Sequence, residues 1–202
     1  VREFGKEGRE IASAITAALK AQDEFKRILR ERVQEILKIH TKEKEAVVVI
    51  GKTNNVHHLA MNLNIAKKLR HLGVLAIPFD LLPLDSIELP PHYSNLVWKN
   101  EQNLLRAAMM AKNNPSLNPI MITNYGCGPD AFFWKYLEET MEEDPYLLLE
   151  VDEHSGDAGM ITRIEAFLDT LDRPKMWVKE EGQEDLGVIR PSGGISIFKP
   201  AK

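Results

Sequence analysis

Short apolar runs alternate with amphipathic, helix-like segments along most of this sequence. The clearest run is Ala46–Gly51, a continuous β-branched stretch typical of a central parallel strand. Further strand-like runs occur at 74–79, 119–123 and 146–151, and helix-like segments separate them. Strands and helices that alternate at this spacing predict right-handed crossovers and a mainly parallel sheet with helices on both faces. The sequence therefore predicts an α/β fold with three layers.

The 202 residues divide into three predicted segments. Residues 1–42 are predicted to form a helical arm in which residues 6–39 make one long helix or two abutting ones, because apolar residues recur at three- and four-residue spacing between residues 11 and 36. Residues 43–173 form the α/β domain, and residues 174–202 form a C-terminal tail for which an edge hairpin is one interpretation. Since the chain begins with Val1 in helix-like sequence, we expect it to be a piece of a longer polypeptide.

Charge and composition exclude several classes of function. A net charge of -4 argues against general nucleic-acid binding, because no large excess of Lys and Arg is present to release phosphate counterions. No apolar run approaches the roughly 20 residues of a membrane span, and the charged N terminus does not resemble a signal peptide. A single cysteine excludes an internal disulfide and fits a reducing compartment. We therefore expect a cytoplasmic protein, and a homo-oligomer is left open.

Ligands of parallel α/β sheets bind beyond the carboxyl ends of the strands. The loops of interest are therefore 51–57, 79–97, 124–129 and 152–157. In the first loop, Lys52 could contact a phosphate, but a solvated surface lysine is the favoured interpretation, since the spacing of a phosphate-binding loop is absent. His57 and His58 are interpreted equally well as ligands or as ordinary loop residues. A helix is predicted from His58 to Leu72, closed by Gly73.

The sole cysteine, Cys127, lies between a strand-like and a helix-like segment. Gly126 and Gly128 permit a tight turn there, and Pro129 suits the first position of a helix. Free backbone N–H groups and the positive end of the helix dipole favour a thiolate at such a position. A buried apolar filler is the alternative, but the two flanking glycines and the proline favour a functional thiol.

The segment after the last predicted strand is rich in polar groups. Asp152, Glu153 and His154 could bind a metal or perform general acid–base catalysis. Ser155 or Asp157 could instead cap the helix predicted from residue 158, where acidic residues complement the helix dipole. Capping does not require His154, so the functional and structural interpretations are weighed evenly.

Several blocks of residues together resemble one protein family. The blocks are Thr123–Asp130, Leu149–Gly159 and Thr162–Asp169, with Asn62–Asn64 and Leu72–Asp80 in the expected order. They resemble the CoA-substrate-specific enzyme activases, in the portion similar to the D-component of 2-hydroxyacyl-CoA (2-hydroxyglutaryl-CoA) dehydratase and to benzoyl-CoA reductase subunits. The resemblance covers about residues 46–171.

This resemblance implies a Rossmann-like sheet and an iron–sulfur protein that delivers low-potential electrons to an acyl-CoA. The site residue that it implies is Cys127 as the metal ligand. Around it we predict Asn124, Gly126 and Gly128 as cofactor-binding residues and Asp152, Glu153 and His154 as catalytic groups of the adjacent pocket. The implied cofactor is a 4Fe–4S cluster, which needs several thiolates, so its other cysteines are expected outside this chain. The implied partners are an acyl-CoA, a partner dehydratase subunit and the rest of a longer polypeptide.

Three hypotheses follow for the function. In the first, the chain is a module of an iron–sulfur dehydratase or activase system and is not active alone. In the second, it is a stand-alone thiol enzyme in which His154 activates Cys127. In the third, it is a non-catalytic scaffold whose first helix and C-terminal tail dock partner segments.

Overall fold

Four parallel strands form one sheet in the computed structural model, which describes residues 8–40 and 46–171. The strands are β1 (Ala46–Gly51), β2 (Leu75–Pro78), β3 (Leu117–Asn124) and β4 (Leu147–Val151), in the order β2-β1-β3-β4. This arrangement confirms the predicted α/β class and its parallel sheet. The tail predicted at 174–202 and the domain boundary predicted at residue 42 lie outside the described residues.

Six helices accompany the sheet within the described residues. They are α1 (Gly8–His40), α2 (Thr53–His57), α3 (Ile65–His71), α4 (Lys99–Lys112), α5 (Gly128–Met141) and α6 (Asp157–Leu171). The chain runs outward from β1 to β2, then back past β1 to β3 and on to β4. Because such crossovers are right-handed, α3 covers one face of the sheet, whereas α4 and α5 pack together on the other.

The core lies on both faces of the two inner strands. All six residues of β1 are buried, as are the first seven of β3, which explains why these strands lack polar alternation. Leu104, Phe133 and Phe167 bring α4, α5 and α6 onto the sheet with essentially no exposed surface. The proline-rich connection of residues 79–97 contains only short 3-10 turns.

Helix α1 is one continuous helix of 33 residues, so of the two predicted arrangements the single long helix is the one that forms. Its C-terminal half contacts the domain through buried Val33 and through an ion pair of 2.9 Å between Arg30 and Asp85. Further toward the N terminus, the apolar side chains are more than half exposed. They are Ile15, Leu19, Phe25 and Ile28. The described part of the chain therefore leaves an apolar stripe of α1 uncovered.

The helix predicted from His58 to Leu72 is wrong in its first half. Leu63 and Asn64 have positive φ angles of 48° and 58°, which an α-helix cannot contain. The buried Asn62 amide explains this path, because it donates to the Val56 carbonyl at 2.7 Å and accepts from the Asn64 N–H at 3.0 Å. These side-chain hydrogen bonds add to backbone ones, such as that from the Asn62 N–H to the His58 carbonyl at 3.1 Å, and residues 59–64 form turns before α3 begins. The loop predicted at 51–57 instead contains the short helix α2.

Candidate functional site at the carboxyl ends of the strands

The strand order creates a crevice between β1 and β3. From β1 the chain leaves the sheet toward β2, and from β3 it leaves toward β4, so the connections diverge at the carboxyl ends of these two neighbours. Parallel α/β proteins bind ligands at such a switch point. Lys52 directly follows β1, and Cys127 lies three residues beyond the end of β3.

Gly51 allows the ends of β1 and β3 to approach closely. A Cβ atom at this position would lie 2.6 Å from the backbone oxygen of Ile122 on β3, which is closer than real Cβ contacts. In α2, which follows, the side-chain amide of buried Asn55 donates a hydrogen bond to the same oxygen at 3.4 Å. The missing side chain of Gly51 therefore helps to bring Lys52 against the loop that follows β3.

Cys127 occupies the N-cap position of α5. Its backbone N–H donates to the Asn124 carbonyl at 3.1 Å, and its carbonyl accepts from the N–H of Ala131 at 3.0 Å. Gly126 supplies the turn with a φ of 69°, in the left-handed region that favours glycine. The thiol makes no capping hydrogen bond and is half-buried. It is therefore neither enclosed in the core nor used to cap the N terminus of α5.

The partner of Cys127 is Lys52, whose Nζ donates to Sγ at 2.8 Å. The Lys52 side chain is only 32% exposed, which differs from the predicted solvated lysine. Its pKa is raised, first by the hydrogen bond with Cys127 and then by the nearby charges of Asp130 and Glu101, against the opposing effect of burial. The ammonium is therefore retained here, and it places a positive charge directly beside the sulfur.

Asp130 completes this cluster from the first turn of α5. It is 1% exposed, and its Oδ2 accepts a hydrogen bond of 2.8 Å from the Thr123 hydroxyl. Its Oδ1 has no hydrogen-bond partner and lies 3.9 Å from Lys52 Nζ. A buried carboxylate oxygen without a partner is costly and therefore informative, because nearly all buried polar atoms are paired.

Three of the other predicted residues, Asn124, Asp152 and Glu153, line a neighbouring cavity of about 370 Å³, whereas Gly126, Gly128 and His154 do not. Asn124, Tyr125, Asp152 and Glu153 line it, together with residues 60–61 and Val151. Asn124 also donates its amide to the Val151 carbonyl at 3.4 Å, which links the ends of β3 and β4. The cavity thus adjoins the Cys127 loop through Asn124 and Tyr125.

Asp152 has a clear structural role in its turn. It accepts hydrogen bonds from the backbone of His154 at 2.8 Å and from the Ser155 hydroxyl at 3.0 Å. The Ser155 hydrogen bond is the first cause that lowers the pKa of Asp152, and the His154 backbone is the second. The side chain of His154 is 82% exposed and faces Asp152 and Glu153 at 3.8 and 3.9 Å. In the described residues, no hydrogen bond joins it to Cys127.

A second polar pair lies on the other side of β1. Nε2 of His57 is 3.0 Å from both carboxylate oxygens of Asp80, which connects the end of α2 to the end of β2. Both side chains are about two-fifths exposed. The sequence singled out His57 but not its partner, because the two are 23 residues apart and no motif joins them.

The donor atoms present can be compared with those that a 4Fe–4S cluster requires. Such a cluster is held by several thiolates, and Cys127 is the only cysteine among the 202 residues. Within residues 8–40 and 46–171, no three His, Cys, Asp or Glu side chains are placed to hold a metal ion. The sulfur instead contacts an ammonium, which cannot be a ligand. The chain by itself therefore does not fit a cluster, although it offers one thiolate.

Comparison with known families agrees with the resemblance noted in the sequence. The model of a family described as a CoA enzyme activase uncharacterised domain (DUF2229) matches residues 1–82. This match confirms the resemblance to CoA enzyme activases over a region that contains α1, β1, Lys52 and β2. Cys127 and the 152–154 segment lie beyond the matched residues. Neither the curated proteins nor the solved structures yielded a match.

The helices were also compared with the requirements of a membrane span. None of those in the described part of the chain is both long enough and apolar enough to cross a bilayer.

Proposed function

We propose that this chain is the acyl-CoA-facing module of a CoA enzyme activase-type system and that its working group is the Cys127 thiolate. The observation that carries the proposal is the 2.8 Å contact between Lys52 Nζ and Cys127 Sγ at the switch point of the sheet. A half-buried thiol that faces an ammonium at a helix N terminus has the environment of a reactive or metal-binding cysteine. The family match over residues 1–82 supports the CoA-linked context.

The cavity beside Asn124 and Tyr125 is the proposed place for part of the acyl-CoA. Its volume of about 370 Å³ lies within the usual range for ligand sites. Asp152 and Glu153 on its wall repel phosphate, so it suits the uncharged acyl or pantetheine portion. In this proposal, Asp152 and Glu153 shape the pocket wall with His154 beside them on the surface, and Asn124, Gly126 and Gly128 hold the Cys127 loop in position.

In the intact system, we propose that Cys127 is one ligand of a 4Fe–4S cluster whose other thiolates lie outside this chain. The experiment is anaerobic incubation with iron and sulfide of this chain, of its full-length parent and of the parent with Cys127→Ser. We expect thiolate-to-iron absorption in the parent, its loss in the variant, and none in this chain alone. If the parent never develops this absorption, or if the Cys127→Ser parent develops it equally, Cys127 is not a cluster ligand.

The stand-alone thiol enzyme is supported only in part by the geometry. Cys127 has a charged neighbour, but that neighbour is Lys52 and not the predicted His154. A lysine ammonium stabilises the thiolate yet does not take its proton in the way a neutral imidazole does. The proposal therefore assigns thiolate stabilisation to Lys52 and no proton transfer to His154.

The uncovered stripe of α1 favours docking as a second function. Leu19 and Phe25 are 56% and 62% exposed on a helix that otherwise has a charged surface. We expect Leu19→Gln with Phe25→Gln to leave the unfolding temperature unchanged and to lower the molecular mass of the assembly in sedimentation equilibrium. A wild-type protein that is already monomeric, both alone and within the full-length parent, would exclude this docking function.

A further inference from the structure

Two nucleophilic atoms touch each other at the proposed acyl-CoA site. Cys127 Sγ and Lys52 Nζ are 2.8 Å apart, and both side chains are partly open to solvent. The buried Oδ1 of Asp130, which has no hydrogen-bond partner, lies 3.9 Å from the nitrogen. We propose that the Cys127 thiolate accepts an acyl group from an acyl thioester and passes it to Lys52, so that Lys52 is a site of acyl modification.

The first step is an exchange between thioesters. The Cys127 sulfur attacks the carbonyl carbon of the acyl thioester, a new carbon–sulfur bond forms, and the donor's carbon–sulfur bond breaks. The donor leaves as its own thiolate and takes a proton from solvent. The bond broken and the bond formed are of the same kind, so the step requires no oxidant or energy source. It rests on the part of the proposed function that brings an acyl-CoA to Cys127.

The second step transfers the acyl group from sulfur to nitrogen. Lys52 Nζ attacks the carbonyl carbon now attached to Sγ, a carbon–nitrogen bond forms, and Cys127 departs as a thiolate. Because the nitrogen already contacts the sulfur, the two groups react as neighbours, and oriented neighbours react far faster than free ones. The product is an amide on Lys52 and a regenerated Cys127 sulfur.

The protons balance through Asp130. The ammonium carries three protons and the amide nitrogen keeps one, so two must leave. Acylation of Cys127 removes the negative sulfur that holds the ammonium in place, and Asp130 Oδ1 then remains as the nearest anionic acceptor. One proton passes to this oxygen, which leaves Asp130 protonated, and the other neutralises the departing sulfur. This task accounts for a buried oxygen that has no hydrogen-bond partner in the resting site.

Mass spectrometry of the full chain tests the proposal. The protein is incubated with acetyl-CoA or with the acetyl thioester of N-acetylcysteamine, a small donor that carries no nucleotide, and is then treated with hydroxylamine, which cleaves thioesters but not amides. The proteins compared are the wild type, Cys127→Ser, Lys52→Arg and Asp130→Asn, each checked for native unfolding temperature. Lys135, whose side chain is 85% exposed, reports direct acylation of an ordinary surface lysine.

We expect hydroxylamine-stable acetylation of Lys52 at least about tenfold faster than that of Lys135, a small part of what proximity can supply. Lys52→Arg should trap a hydroxylamine-labile acyl group on Cys127, and Asp130→Asn should accumulate the same species before slow transfer. In Cys127→Ser, the rate at Lys52 should fall to that of Lys135. An undiminished rate at Lys52 in this variant would overturn the relay.

The two donors separate this proposal from the one on which it rests. Acetylation by the small thioester but not by acetyl-CoA would uphold the relay and count against an acyl-CoA-facing site. No acetylation of either residue by either donor would overturn the relay, while the iron test of Cys127 in the full-length parent would stand independently. Iron bound to the thiolate should also block the relay, because both uses require the same sulfur.

Discussion

The hydroxyl of Thr123 donates a hydrogen bond of 2.8 Å to Asp130, and this bond joins the end of β3 to the first turn of α5. Both side chains are more than nine-tenths buried. The bond fixes Oδ2 of the carboxylate and thereby directs Oδ1 toward Lys52. Thr123 therefore orients the carboxylate that faces Lys52, and Lys52 in turn contacts Cys127.

Thr123→Val should destabilise the protein by about 1–3 kcal/mol, because it leaves a second buried carboxylate oxygen without a partner. Urea unfolding measures the change. Thr162→Val is the matched control, since the exposed Thr162 hydroxyl bonds only to the Ala158 carbonyl of its own helix. Its effect should stay within about 0.5 kcal/mol. Equal losses in both variants would contradict the role assigned to Thr123.

Gly51→Ala and Gly159→Ala should change stability in opposite directions. An alanine Cβ at position 51 would meet the Ile122 oxygen at 2.6 Å, so we expect a loss of about 1–3 kcal/mol from the forced backbone shift. A Cβ at position 159 in α6 meets nothing within 4 Å, and alanine favours helix there by about 0.5–1 kcal/mol. Thermal unfolding compares the two variants. If Gly51→Ala leaves the stability unchanged, β1 and β3 can move apart at no cost in free energy, and the close approach is not required.

Lys52→Met should slow the alkylation of Cys127 by iodoacetamide at neutral pH. The ammonium stabilises the reactive thiolate, and a partly exposed ion pair of about 1 kcal/mol corresponds to about a fivefold change in rate. Lys135→Met, on the exposed side of α5, should leave the rate unchanged. His154→Ala should also leave it unchanged. A slower reaction in His154→Ala, with Lys52→Met unaffected, would restore the predicted Cys–His pair and remove the role of Lys52.

In Tyr146→Phe, the free energy of unfolding should fall less steeply with increasing alkaline pH than it does in the wild type. Burial raises the pKa of Tyr146, so the folded state keeps its phenolic proton above about pH 10, where the unfolded state loses it. The unfolded state then binds fewer protons, and the free energy of unfolding falls as the pH rises, by up to about 1.4 kcal/mol per pH unit. Urea unfolding at about pH 9 to 11 measures this slope. Tyr125→Phe, at a side chain 77% exposed, should not alter it.

The sheet was predictable because its inner strands are continuous apolar runs, and such residues are stable only where both faces of the strand are buried. All six residues of Ala46–Gly51 are buried, and only a strand covered on both faces accommodates such a run. The failure at His58–Leu72 has a local cause that apolar periodicity does not show. The Asn62 amide binds two backbone groups, and Asn64 takes the left-handed conformation that asparagine tolerates.

The candidate site was only partly predictable. The glycines and proline around Cys127 indicated the turn and the helix start that the structure contains. Lys52 and Asp130 were missed as its neighbours, because surface lysine and a helix-capping aspartate are the commoner roles of these residues. The strand order supplies the missing information, since it puts the end of β1 beside the end of β3. Once this order is known, the residues that directly follow β1 and β3 are the first candidates for the functional site.

Lys52 and Cys127 are 75 positions apart in the chain, and they meet only when β1 and β3 have paired. Before that pairing, during synthesis or after damage, each is an ordinary side chain without the other's charge. The contact between the ammonium and the sulfur is therefore acquired with the native sheet rather than encoded next to the cysteine. A copy that fails to fold keeps only the reactivity of an ordinary exposed thiol, because the lysine that would accompany it lies 75 positions away along the chain.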